Sequence, residues 1–240
     1  MQFETKYYKT LPSSNSEAIW LGFTGVPEGT VVVCREQTEG RGQMGNQWES
    51  APGENLTMSL ILRPENIASN KLFLLSKAFA LAVVRSLTCY GVEAVIKWPN
   101  DIYVKGRKIA GILIEHSFTG DKLVFSVIGL GLNVNQVSFP AMDNAPTSIA
   151  AETGKDCYDV MEVLSSVLDN FSPLYKSPKE VINSGYMEKL YRREGYFPYR
   201  TKSGETLIAE IHDVADSGKL VLKDRNGRLN SFLFKEIVYV

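Results

Sequence analysis

Cysteine, histidine and surplus charge are all scarce in this 240-residue chain. Its three cysteines, Cys34, Cys89 and Cys157, are widely spaced and form no CxxC pair. That excludes a disulfide framework and a structural zinc ribbon, and fits a reducing compartment. Small, buried thiols are expected at all three positions. The two histidines, His116 and His212, belong to no HExxH pattern, so no transition metal held by the protein is expected. His116 follows the strand carboxylate Glu115 and is expected to be solvated or capped. Lysine plus arginine number 26 against 27 aspartates plus glutamates, a net charge of −1. Residues 1–190 carry 17 basic and 20 acidic groups, and residues 191–240 carry 9 and 7. Neither part is built to neutralise a phosphate backbone, so no nucleic-acid partner is expected. No apolar run approaches the ~18 residues of a spanning helix, because Lys77 interrupts LFLLSKAFALAVV. The opening MQFETKYYKT has no apolar core of a signal peptide. A cytoplasmic protein without a membrane partner is the expectation.

What is present is the composition of an ordinary globular protein, 44% hydrophobic and 22% charged. TVVVC (30–34) and NLTMSLIL (55–62) read as buried strands. Between Ile67 and Tyr90, Leu72, Leu75, Phe79, Ala82, Val83 and Leu87 recur at helical steps, and Gly91 stops the helix. AVIK (94–97) reads as a strand ending at Trp98-Pro99, since the residue before proline is pushed into extended geometry. IYV (102–104), KGR (105–107) and IAGILIE (109–115) read as a hairpin, and FTGD turns into the long strand 123–135. Residues 147–190 turn helical, most clearly in VMEVLSSVLDNFSPLY. After Arg193, TLIAEIHDV, KLVLKD and RLNSFLFKEIVYV supply four short strands with turns at Asp216-Ser217-Gly218 and Arg225-Asn226-Gly227. The expected architecture is α+β, with a mixed-sheet domain over 1–193 and a small β-barrel over 194–240.

Two clusters bear chemistry. The first is EQTEGRGQMGNQWESAPGE, a long polar loop with Met44 and Trp48 as its only large apolar groups. Gly40-x-Gly42-x-x-Gly45 has dinucleotide-fingerprint spacing, but no helix follows Gly45, so a Rossmann site is excluded. A kinase glycine loop fails as well, because neither histidine precedes Arg-Asp and no Asp-Phe-Gly exists. There remains a pliable loop with an arginine, Arg41, whose planar donor fork suits carboxylate or phosphate. Trp48 either stacks on a flat heterocycle or anchors the loop. The second cluster is Lys97-Trp98-Pro99-Asn100-Asp101, which sets a lysine at a strand end before a rigid corner. Lys105 and Lys108, beside Gly106-Arg107, read alone as solvated turn charges. Gly111, Gly129 and Gly131 interrupt strands, a sign of close approach to the backbone.

These residues in this order resemble the biotin–protein ligase family. The blocks are Gly40 to Trp48, Lys97 to Asp101, Arg107 to Leu113, Gly129-Leu130-Gly131-Leu132-Asn133, and Ser13-Ser14-Asn15. The resemblance implies a biotin/lipoate ligase-like catalytic domain with an SH3-like C-terminal barrel. It implies ATP-dependent activation of biotin as biotinyl-AMP, then transfer to a lysine of a biotin carboxyl carrier domain such as that of acetyl-CoA carboxylase. By resemblance, Lys97 and Arg41 serve catalysis. Ser13, Ser14, Asn15, Gln37, Gly40, Arg41, Gly42, Gln43, Lys108 and Gly111 hold biotin. Asn46, Trp48, Lys97, Asn100 and Asn133 meet the nucleotide. Magnesium is expected with ATP, without assigned ligands. Gln43 stands where many members of that family carry a second arginine, and Asn46 where some carry one. Many bacterial relatives place a helix-turn-helix domain ahead of the catalytic one; here Ser13 comes too early for it, and an enzyme that is not a repressor is expected. The alternatives are a lipoate–protein ligase of the same fold, which lacks the two glycine and lysine blocks together, and a non-catalytic biotin or nucleotide sensor. The oligomeric state stays open, a homodimer included.

Overall fold

In the computed structural model, residues 1–64, 71–139 and 145–240 are described. Strand β1 (Glu4–Leu11) and helix α1 (Ser14–Phe23) lead to β2 (Thr30–Gln37) and β3 (Leu56–Leu62). Helix α2 (Phe73–Cys89) is followed by β4 (Val95–Lys97), β5 (Asp101–Val104), β6 (Arg107–Thr119) and β7 (Lys122–Leu132). Helices α3 (Ile149–Thr153), α4 (Val160–Tyr175) and α5 (Lys179–Glu188) come next. The chain finishes in β8 (Phe197–Thr201), β9 (Thr206–Val214), β10 (Leu220–Asp224), β11 (Leu229–Phe232) and β12 (Ile237–Tyr239).

Strands β1 to β7 form one mixed sheet in the order β1-β2-β3-β7-β6-β5-β4. β1 and β2 run parallel, which demands a crossover, and α1 supplies it. The central strands are covered on both faces, so their sequences read as continuous apolar runs rather than alternating ones. Val31, Val33, Met58, Leu60, Ile128 and Leu130 enter the main core with residues of α2, α4 and α5. Val32, Ile61, Phe125 and Val127 point the other way, against Ala18 and Leu21 of α1. On this second face the side chains of β7 shrink from Phe125 and Val127 to Gly129 and Gly131. The sheet is therefore filled beneath α1 and left as a trough beyond it.

The periodic segment 160–175 is α4, with Asp159 capping it by accepting from Met161 N at 2.7 Å. Of the helix expected over 67–90, residues 67–70 lie outside the described residues, and the helix proper starts at Phe73. The segment 147–190 divides into three helices. β1 and α1 were not anticipated from sequence. The C-terminal part forms five strands rather than four, in an antiparallel sheet of order β11-β10-β9-β8-β12. The cysteine expectation holds only for Cys34; Cys89 and Cys157 are exposed, because they fall on the outer turn of α2 and on a surface loop. Among the described residues no helix is long and apolar enough to cross a membrane.

Candidate active site

The trough is a cavity of about 260 Å³. Its floor is β6 and β7, where Gly111 pairs with Gly131 and Leu113 with Gly129. Both β7 glycines are needed for space. A Cβ on Gly129 would lie 2.1 Å from Asn15 Oδ1, and one on Gly131 2.2 Å from Trp48 Cε2. Gly111 is also close, with Trp48 Cζ3 at 3.2 Å from its would-be Cβ. Trp48 thus lies flat on a glycine platform, and Lys108 Nζ stands 5.4 Å from its ring centre.

One end of the trough is polar. Ser13 is the N-cap of α1 and Ser14 and Asn15 form its first turn. Ser14 N donates to Gln37 Oε1 at 2.7 Å. Ser59, buried on β3, brings its hydroxyl within 2.8 Å of Ser14 Oγ and 2.6 Å of Asn15 Oδ1. Asn15 Nδ2 donates to Leu113 O at 3.2 Å and to Glu115 Oε2 at 2.8 Å. These donors and acceptors are fixed by one another, which orients them before any ligand arrives.

The rest of the wall is cationic. Four basic side chains, Arg41, Lys97, Lys108 and Lys235, line the cavity against one carboxylate, Asp101. Arg41 Nη2 pairs with Glu115 at 2.7 Å, and Lys108 Nζ with Asp101 at 2.6 Å. Lys97, at the end of β4, instead donates to Tyr103 Oη at 3.1 Å. Asn100 clamps β6, its side chain donating to Ile112 O at 2.8 Å while its carbonyl accepts from Ile112 N at 2.9 Å. Trp98 is buried, and its Nε1 donates to Gly218 O of the C-terminal sheet at 2.9 Å. Phe234, Lys235, Ile237, Val238 and Tyr239 complete the wall from that same sheet. Trp48 Nε1 and Gln43 Oε1 are buried with no partner among the described residues. Both border the cavity, so both present unused hydrogen-bonding capacity at its edge.

Thirteen of the fifteen residues expected from sequence line this one cavity: Ser13, Ser14, Asn15, Gln37, Arg41, Gly42, Gln43, Asn46, Trp48, Lys97, Asn100, Lys108 and Gly111. Gly40 and Asn133 do not. Gly40 shapes the loop, its carbonyl accepting from Trp48 N at 3.0 Å. Asn133 is buried behind the floor, with Nδ2 on Thr147 O at 3.0 Å. Its amide ties the end of β7 to the segment before α3 and does not face the cavity. Of the two hairpin lysines, Lys105 stays largely exposed as expected, whereas Lys108 lines the cavity and pairs with Asp101. Lys105 and Arg107 both pair with Glu152, whose side chain is 4% exposed. Burial alone would raise that carboxyl; the Thr147 hydroxyl and the two cations outweigh it and hold it below its ordinary value. His116 is half-buried and bonded to Ser126 Oγ at 2.9 Å; burial pushes its imidazole down.

Sequence reasoning missed Ser59, Glu115, Tyr103 and Tyr239. Ser59 had a signal, since Thr57 and Ser59 alternate with apolar residues in β3 and so share the trough face. Tyr239 had none, because only tertiary docking brings β12 to β4. Among the described residues no group of three or more histidine, cysteine or acidic side chains could hold a metal ion. With Asp101 already neutralised by Lys108, the described residues do not form a magnesium site of their own.

A family model described as the biotin/lipoate A/B protein ligase family matches residues 8–133. The chain is 34% identical over 232 residues to the bifunctional ligase/repressor BirA of Bacillus spizizenii, covering 92% of this chain and 70% of that protein. It is 30% identical over 232 residues to the biotin–[acetyl-CoA-carboxylase] ligase of Paracoccus denitrificans, covering 90% and 92% of the two chains. Among solved structures, the biotin protein ligase from Aquifex aeolicus in complex with biotin and ATP superposes with a TM-score of 0.81 at 25% identity, covering 99% of each chain. By sequence and by fold, this chain is therefore a member of the biotin/lipoate A/B protein ligase family, among its biotin–protein ligases.

Proposed function

We propose that this chain activates biotin with ATP and transfers it to a lysine of a biotin carboxyl carrier domain. The observation that carries the reading is convergence: sequence blocks more than a hundred residues apart meet around one cavity that is polar at one end and cationic along its wall. In the first step a carboxylate oxygen of biotin attacks the α-phosphorus of ATP. A new P–O bond forms, the bond to the bridging oxygen breaks, and pyrophosphate leaves. Two anions must meet, so the barrier is largely electrostatic, and fixed cations lower it. Lys97 and Lys108 stand on opposite sides of Asp101 on adjoining strands. In this reading both neutralise the carboxylate and the α-phosphate. Arg41 transfers from Glu115 to the phosphates as the loop closes. Ser13, Ser14, Asn15, Gln37 and Gly111 receive the biotin head group, with Ser59 orienting Asn15. Trp48 and Asn46 meet the nucleotide.

In the second step a carrier lysine amine attacks the acyl carbon of biotinyl-AMP. The C–N bond forms, the acyl C–O bond breaks, AMP departs with the electron pair, and the amine loses a proton. Loop closure excludes water, which would otherwise hydrolyse the anhydride. Magnesium enters on this reading as a partner of the ATP phosphates, and no step is derived through it. We place the catalytic unit in residues 1–193 and the smaller unit in 194–240.

Pyrophosphate release on adding biotin and ATP, followed by transfer of labelled biotin to an isolated carrier domain, tests the reading. Release with lipoate but not biotin would select the other branch of the family. Binding of both ligands without release would make the protein a sensor. Lys97→Ala and Lys108→Ala are each expected to cut the first step by at least about 100-fold, the scale for removing one fixed charge from a developing anion. Full activity in either variant removes that lysine from the mechanism.

A further inference from the structure

The three best-defined cations of the cavity are held differently. Arg41 and Lys108 each have a carboxylate, Glu115 and Asp101. Lys97 forms no ion pair among the described residues; its ammonium stands 4.5 Å from the ring centre of Tyr103 and 5.4 Å from that of Tyr239. Tyr239 lies on β12 of the C-terminal sheet, far from Lys97 in sequence. Its ring is seated by Tyr199, edge-on at 5.2 Å, and by Tyr191 at 6.1 Å, while Tyr191 also meets Tyr103 at 6.0 Å. The backbone reinforces the arrangement: Tyr191 N donates to Ile96 O at 2.8 Å, beside Lys97 itself. The Tyr239 hydroxyl is buried without a partner among the described residues, so polar bonding does not explain the residue. Its ring is what meets charge: the Lys97 ammonium stands 5.4 Å from its centre and the Arg192 guanidinium 5.9 Å.

We infer that Tyr239 is a positioning residue by which the C-terminal sheet sets the place of the Lys97 ammonium, and that an aromatic face is used there because it holds the cation without neutralising it. An aromatic ring attracts an ammonium through its quadrupole and carries no net charge. A carboxylate in the same place would compete with the incoming phosphate. Tyr103 supports Lys97 from below with its hydroxyl and its ring, and Tyr239 closes over it from the tail. The wall that the C-terminal sheet contributes to the cavity is thus part of the chemistry's geometry.

This inference rests on the ligase reading, because it concerns what Lys97 does toward phosphate. The test measures ATP affinity, biotin affinity and biotin-dependent pyrophosphate release in full-length Tyr239→Leu, Tyr239→Phe and Tyr199→Leu. Tyr239→Leu is expected to lower ATP affinity and the release rate about ten-fold, the order of one desolvated cation–aromatic contact, with biotin affinity unchanged. Tyr239→Phe keeps the ring, discards the orphan hydroxyl, and is expected to behave as the unmodified protein. Tyr199→Leu disturbs the same aromatic cluster without touching Lys97, so it is expected to lower the unfolding midpoint but not the ATP-to-biotin affinity ratio. Equal losses in Tyr199→Leu and Tyr239→Leu, or no loss in the latter, overturn the inference. If the unmodified protein binds both ligands without releasing pyrophosphate, the ligase reading fails. The affinity ratio then still decides whether Tyr239 positions Lys97. Should Tyr239→Leu not fold, Tyr103→Leu, expected to show the same selective loss of ATP affinity, decides in its place.

Discussion

Gly131 has no side chain because Trp48 occupies the place one would take. With indole carbon Cε2 2.2 Å from the would-be Cβ, Gly131→Ala must lift the ring off β7 or bend the strand. The strand is held on both sides by β3 and β6, so the ring is the part that yields. ATP affinity is expected to fall by about ten-fold or more, and biotin affinity far less, since the Ser14, Gln37 and Asn15 contacts lie at the other end of the trough. Calorimetric titration with each ligand separately checks the asymmetry, and equal losses would show that Trp48 does not serve the nucleotide. Gln43 is a second informative residue. It lines the cavity with a buried Oε1 that has no partner among the described residues. Arg41, Lys97, Lys108 and Lys235 already line the cavity, so on the ligase reading an added cation has little left to neutralise. Gln43→Arg is therefore expected to leave the release rate of biotinyl-AMP nearly unchanged; a large slowing would show that this chain retains its intermediate poorly.

The hairpin of β5 and β6 shows how an element is fastened from outside itself. Its tip places Lys105 and Arg107 around Glu152 of α3, and the Thr147 hydroxyl donates to the same carboxylate at 2.7 Å. Because this carboxyl titrates below its ordinary value, its contribution is complete above about pH 4.5 and is lost as pH falls through the lower folded value. Glu152→Gln is expected to cost about 1–3 kcal/mol at neutral pH and to remove that acid-range loss, as urea midpoints at pH 7 and pH 4 will show. His116 on β6 has the opposite charge type with a related consequence. Its imidazole is held neutral by burial, so stability falls as pH drops through 6.5, and His116→Gln flattens that interval. At this scale the sequence was legible wherever one element settles its own pattern. In α4, Val163, Leu164, Val167, Leu168, Phe171 and Leu174 are all buried, and their spacing alone announces the helix. β1 and α1 gave no such signal. β1 is an edge strand with mostly exposed residues, and α1 exposes Trp20 and Phe23 while burying Ser14 and Asn15. The first turn of its inward face serves the site and only Ala18 and Leu21 enter the core, too short an apolar stripe for hydrophobic periodicity to reveal. The site was legible as blocks because each block is local. The pairings between blocks, Arg41 with Glu115 and Lys97 with Tyr239, exist only once the sheet has formed.

At the scale of the whole molecule, the C-terminal sheet is docked by side-chain donors that reach backbone carbonyls of its strands and of the turn before β10. Trp98 Nε1 reaches Gly218 O at 2.9 Å, and Arg193 Nη1 reaches Ile211 O at 2.7 Å. Lys77 of α2 reaches Val214 O and, at 2.8 Å, Asn183 Oδ1 of α5. The lysine that interrupts the longest apolar run of the sequence is therefore where α2, α5 and the tail meet. It is 1% exposed, and burial pushes its ammonium below the usual lysine range despite Asp213 and Asp216 nearby. Two effects oppose each other in Lys77→Ala: the ammonium's desolvation is relieved, while two acceptors lose their donor and a cavity opens. Unpaired buried acceptors and an unfilled cavity dominate, giving an expected loss of about 2–4 kcal/mol. The pH dependence separates the terms. A base titrating lower in the folded state leaves the unfolded chain with more bound protons between the folded value and 10.5, so its desolvation penalty fades as pH rises through that interval. The difference in urea midpoint between the unmodified protein and Lys77→Ala should accordingly widen from pH 7 to pH 10. A constant difference would mean that Lys77 titrates normally and that the joint owes its stability to packing alone. Because Trp98 and Tyr239 connect this joint to Lys97, the same variant is expected to lower ATP affinity before it lowers biotin affinity.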